Sequence, residues 1–192
     1  MKKLFALILI VAAAGCQVEQ EEQFMLSLPP DEAPIRREYP TVNLPLGLRQ
    51  RNWVGDRGEG SCVHASMVML FRWQGFPAMA DWWRNNNANG EWADDLAVKF
   101  KNAKVRFAQT TTADESFLQW ACDTRRGAGV TVMGGRHMVC LVHLDDRWAG
   151  ILDNNNIEAI SWYPRETFLA EWRASHGWAV TPIYWPAPPL PQ

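Results

Sequence analysis

The sequence predicts an α+β domain, with helical patterning through the first half of the chain and strand patterning through the second. Of its 192 residues, 47% are hydrophobic and 21% charged, a mixture that suits one globular domain with a real core and excludes a fibre or a wholly disordered chain. The formal net charge of −2 supplies no basic field to hold a phosphate backbone, so nucleic acid is not expected as a partner.

Lys2 and Lys3 precede an uncharged apolar run from Leu4 to Ala14, too short to span a membrane and flanked as a secretory signal is flanked. The run closes with Ala13, Ala14, Gly15 and Cys16, which resembles a bacterial lipobox. That resemblance implies a signal peptide over 1–15 and lipidation of Cys16, hence a membrane-tethered domain. Gln17 stands where an inner-membrane retention signal carries Asp, which implies the outer membrane of the cell envelope, facing periplasm or cell surface. Residues 16–45 are acidic and broken by proline and read as a solvated tether. The domain is expected over 46–185 and a proline-rich tail over 186–192.

Cys62 to Gln74 is apolar nearly all round and stops at Gly75, which predicts a buried, central helix. Pro77 opens a second helix through Trp82 and Trp83, and Glu91 to Lys101 reads as a third. Val105 to Thr110 predicts a short strand. Thr112 and Glu115 have capping-box spacing ahead of a fourth helix that ends by Gly127. Strands are then expected at Val130–Met133, His137–Leu144, Trp148–Leu152 and Ile157–Trp162, the middle two pairing as a hairpin. Pro164 starts a short helix through Trp172, and Trp178–Trp185 reads as a last strand. Helices followed by a mostly antiparallel sheet make the α+β arrangement.

Cys62 opens the buried helix directly after Gly58-Glu59-Gly60-Ser61. The unpaired amides of a helix's first turn, with the dipole behind them, stabilise a thiolate. The glycines let a substrate carbonyl come close enough to be attacked and its oxyanion to be held by amides. Gly60-Ser61-Cys62-Val63-His64-Ala65-Ser66 resembles the nucleophile motif of papain-like cysteine peptidases: Gly-Ser-Cys, then an apolar helix with a serine four residues on. In that superfamily a histidine begins a later strand and a third residue closes the next one. Gly134-Gly135-Arg136-His137 and Leu152-Asp153-Asn154 occupy those places. The block from His137 through Asp153 to Phe168-Leu169-Ala170-Glu171-Trp172 resembles the bacterial C39-like branch, where the third residue is Asp and a short helix ends in a tryptophan.

The resemblance implies a papain-like fold and a peptidase acting on a peptide or protein, with Cys62 as nucleophile, His137 as proton relay and Asp153 orienting the imidazole. Asn154 is the alternative third member, since the papain branch uses Asn. The family's oxyanion glutamine falls about six residues before the nucleophile, where this chain has Asp56. Asn52, Gln50, or the Cys62 amide with another donor are the replacements. A cell-wall amidohydrolase of the NlpC/P60 type and an inactive binding module are the rival functions. No short-spaced Cys or His pair supports a metal, and no cofactor is expected. A monomer is expected. Cys122 and Cys140 read as core residues, and export would permit a disulfide between them. His64 reads as structural or solvent-facing. Trp148, Trp162 and Trp178 are the candidates for cleft walls.

Overall fold

The computed structural model describes residues 38–183. The expected signal peptide over 1–15, Cys16, most of the expected tether and the expected tail over 186–192 lie outside the described residues. Within them the chain runs as α1 (Cys62–Trp73), α2 (Pro77–Asn86), α3 (Ala93–Asn102), β1 (Phe107–Thr110), α4 (Glu115–Asp123), β2 (Ala128–Val132), β3 (His137–Leu144), β4 (Trp148–Leu152), β5 (Ser161–Pro164), α5 (Arg165–Ala174) and β6 (Ala179–Pro182). Among the described residues no helix is long and apolar enough to cross a membrane.

The six strands form one sheet in the order β1-β6-β2-β3-β4-β5, antiparallel throughout. Strand alternation sends Met138, Cys140 and Val142 of β3 into one core with α1, α2 and α3. Val139 and Leu141 go into a second core with α4 and α5. The sheet is thus buried on both faces, which is why its middle strands read as unbroken apolar runs rather than alternating ones. Ten of the twelve α1 residues are buried, as expected for a helix with no polar face. The rings of Phe71, Trp83 and Phe100 pack with centroids 5.0–6.3 Å apart, adding roughly 0.5–1.5 kcal/mol per pair to what burial contributes.

Four expectations are corrected. The N-cap of α4 is Asp114, whose Oδ1 accepts from Ser116 N at 2.9 Å, because Thr110 Oγ1 takes the amides of Thr112 and Asp114 and turns the chain later. The strand expected from Ile157 begins only at Ser161. The preceding loop is held open by Arg49 and Arg51, which donate to the carbonyls of Ile157 and Asn155. Cys122 belongs with the α4 core and Cys140 with the α1 core. The sheet separates them, and both are unbridged. Finally, Leu44 is buried in the α1 core with Val42 packed against it, so the packed domain takes in the last residues of the expected tether.

Candidate active site

Cys62 is the first residue of α1. The strand-like bridge between Val54 and Gly60, with Ser61 N donating to Trp53 O at 2.9 Å, brings the chain to the helix mouth in an extended path. Helix geometry points the first-turn N–H groups out of that mouth. Glu59 holds the approach loop in place: its carboxylate accepts from the amides of Arg57 at 3.1 Å and Gly90 at 3.3 Å. Its own backbone amide above all, then the Arg57 charge and these two amides, keep its pKa below the usual carboxylate value against the opposing effect of burial. Gly90 must be glycine here, because a Cβ would collide with Gly60 O and the Glu59 side chain.

His137 begins β3 after a tight turn in which Met133, Gly134 and Gly135 all have positive φ. Gly135 permits the turn's close approach to the ring of His176, which a Cβ would meet at 2.6 Å. His137 Nε2 lies 2.9 Å from Asp153 Oδ1. Burial works to raise the Asp153 pKa, but the hydrogen bond and charge of His137 and the Asn155 amide outweigh it and leave the carboxyl below its ordinary value. Asp153 is therefore an ionised acceptor, and Nε2 carries the hydrogen between them.

Cys62 and His137 line the same open cleft, of about 490 Å³, whose walls include Glu59, Gly60, Glu91, Trp92, Arg136 and Met138. Both residues are nearly buried, with 3% and 5% exposure. A smaller apolar recess lies on the far side of His137 and Asp153, bounded by Val132, Val139, Ile151, Tyr163 and Phe168.

The other candidates go elsewhere. Asn154 is fully buried and bonds to α1 and β3 backbone rather than to His137. Asn52 Nδ2 donates to Asn155 Oδ1 at 3.1 Å, and Gln50 Nε2 to Arg51 O at 2.9 Å. Neither is among the residues lining the cleft. Asp56 N donates to Asn89 Oδ1. The tryptophan expectation is corrected as well: Trp148 and Trp162 pack around Tyr39, Trp178 is in the α1 core, and Trp92, 52% exposed, lines the cleft instead.

His64 is fully buried, not solvent-facing. Trp83 Nε1 donates to its Nδ1 at 3.2 Å, and Nε2 lies 3.2 Å from Glu91, which also pairs with Lys99 at 2.8 Å. An indole only donates, so Nδ1 is bare and the ring is neutral with its hydrogen on Nε2. Burial keeps the pKa below the ordinary histidine value. Thus His64 ties α1 to the loop that forms the cleft wall, a role no spacing rule in the sequence reveals.

No family profile and no curated protein sequence matches the chain. Solved structures do. A C39-like peptidase from Bacillus anthracis superposes with a TM-score of 0.58 at 14% identity, covering 74% of this chain and 95% of that one. The peptidase domain of Streptococcus ComA, a bi-functional ABC transporter involved in a quorum sensing pathway, superposes with a TM-score of 0.51 at 16% identity, covering 74% of this chain and 99% of that one. The fold is that of C39-like peptidase domains. Within this fold Cys62 lies at the mouth of the central helix and His137 at the start of β3.

Proposed function

We propose that this chain is a cysteine peptidase that cleaves peptide bonds through a covalent acyl-enzyme, with Cys62, His137 and Asp153 as its catalytic groups. The observation that carries the reading is the His137–Asp153 pair at 2.9 Å, with His137 and Cys62 lining one cleft. The two solved neighbours, both peptidases by name, lend support through the fold they share with it.

With Nε2 committed to Asp153, the His137 nitrogen that exchanges a proton with the thiol is Nδ1. The Cys62 thiolate attacks the carbonyl carbon, and the oxyanion that forms is held by first-turn amides of α1. As the C–N bond breaks, the imidazolium passes its proton to the leaving amine. Water, deprotonated by His137, then attacks the thioester, releases the carboxylic acid and restores the thiol–imidazole pair.

The reading extends to the chain's ends as a proposal: signal peptide over 1–15, lipid on Cys16, a tether, and a domain acting as a monomer at the outer membrane. A Cys16→Ser chain that still fractionates with membranes and still incorporates labelled fatty acid would contradict that part.

Purified full chain under reducing conditions should cut members of a peptide library, and Cys62→Ala should abolish cutting. Absence of turnover together with absence of labelling by thiol-directed acylating probes would overturn the reading. A non-hydrolytic binding module is the rival, favoured by the Gln50 and Asn52 amides being engaged away from the cleft. That module would bind partners equally well as Cys62→Ala.

A further inference from the structure

Asn154 lies where three pieces of the site meet. It follows Asp153 just past β4, has no exposed surface, and its backbone carbonyl accepts from Asn52 N at 2.8 Å. Its side-chain Nδ2 is 2.7 Å from Met138 O, 3.1 Å from Ser66 Oγ and 3.2 Å from Cys62 O. Carbonyl oxygens only accept, so the NH2 of the carboxamide must face Met138 and Cys62. Ser66 Oγ in turn donates to Met138 O at 3.3 Å. One NH2 group therefore bonds the peptide carbonyl of Cys62, the hydroxyl one helical turn further on, and the carbonyl of the residue after His137.

We propose that Asn154 is a positioning residue that sets the separation between the Cys62 sulfur and the His137 imidazole by tying the nucleophile helix to the histidine strand. This rests on the cysteine-peptidase reading above. The two reacting side chains come from elements distant in sequence, and the same amide holds the peptide carbonyl of Cys62 itself and that of Met138, the residue after His137. A site needs its reacting groups held to within about 0.5 Å, which takes supporting hydrogen bonds that are themselves buried and rigid. Misplacement by roughly 1 Å can cost about 10²-fold in rate. Asparagine suits the position where aspartate does not. A carboxylate there would turn acceptor oxygens onto two carbonyls and, unprotonated, would have no hydrogen to give them.

The test compares full-length wild type with Asn154→Asp, Asn154→Ala and Ser66→Ala, each kept below its own melting temperature. Two quantities are read against pH: the rate of iodoacetamide alkylation at Cys62, assigned by mass spectrometry, and kcat/KM on a cleaved peptide. We expect both Asn154 variants to lose about tenfold or more of the acid-side alkylation rate, with kcat falling while KM stays within about twofold. Unreactive Cys122 and Cys140 will report that the cores are intact. Folded Asn154 variants with the wild-type pH profile would overturn the proposal. If both fail to fold, Ser66→Ala decides it: a smaller shift in the same direction supports the tie, and an unshifted profile overturns it. Wild-type Cys62 that is itself unreactive below neutral pH would instead remove the parent reading, and the positioning role with it.

Discussion

His137 Nε2 and Asp153 Oδ1 stand 2.9 Å apart, and the carboxyl is held below its ordinary pKa despite its burial. An ionised carboxylate accepts and cannot donate, so the hydrogen on this bond belongs to the imidazole. That fixes the tautomer and leaves Nδ1 for the thiol in the proposed mechanism.

Removing the orienting carboxylate should therefore be costly. Asp153→Ala is expected to lower kcat/KM by roughly 10²-fold or more. Asp153→Asn should lose less, because its Oδ1 can still accept from Nε2. Steady-state kinetics on a cleaved peptide measure both, and a wild-type kcat/KM for Asp153→Ala would place the carboxylate outside the mechanism.

The same pair carries a stability signature in acid. Asp153 has a lower pKa folded than unfolded, so its contribution is present above the unfolded value near 4 and is lost as pH falls through the folded value. Urea denaturation of wild type and Asp153→Asn should show a stability difference that is constant from pH 7 to about 5 and shrinks below about 4. A difference that stays flat to pH 3 would contradict the shift.

His64 gives a separate window at higher pH. Its folded pKa is lowered chiefly by burial, so the unfolded chain binds a proton first, and stability declines as pH falls below about 6.5. His64→Gln can keep an acceptor for Trp83 and a donor for Glu91 without titrating. That variant should flatten the decline between pH 6.5 and 5 in thermal melts, and an unchanged slope would assign the decline to other groups.

Gly90 tests the wall of the cleft. A Cβ there collides with Gly60 O and Glu59, forcing apart the loop before Cys62 and the loop before α3. Gly90→Ala should cost about 1–3 kcal/mol of stability and lower kcat/KM, as read by urea titration and peptide cleavage. Wild-type values of both would mean the loops part freely.

The ends of α1, β3 and β4 were legible to within about a residue because each carries an unbroken apolar run closed by glycine or a polar turn. The placing of Cys62 at a helix start, His137 at a strand start and Asp153 just past the next strand was legible as well. Choosing between Asp153 and Asn154 needed strand parity. Ile151 faces the α4–α5 core and Leu152 the α1 core. Continued one step, the alternation turns Asp153 toward His137 and Asn154 toward α1. What could not be read depends on partners far away in the chain. Arg49 and Arg51 hold the 155–157 loop out of β5. His64 is buried because Trp83 and Glu91 close over it. The cleft tryptophan is Trp92 because it sits at the N-terminus of α3 beside Gly90, whereas Trp148 and Trp162 are covered by Tyr39.

The central claim is that one sulfur is activated and the others are not. Burial pushes the Cys140 thiol up to about 12 and raises Cys122 further, so at pH 6 both should resist iodoacetamide in the folded chain. Alkylation of wild type at pH 6, followed residue by residue, is predicted to modify Cys62 about 10²-fold faster than either, with His137→Ala abolishing the advantage. Equal, slow modification of Cys62, Cys122 and Cys140 in folded wild type, or a Cys62 rate indifferent to His137→Ala, would contradict the account.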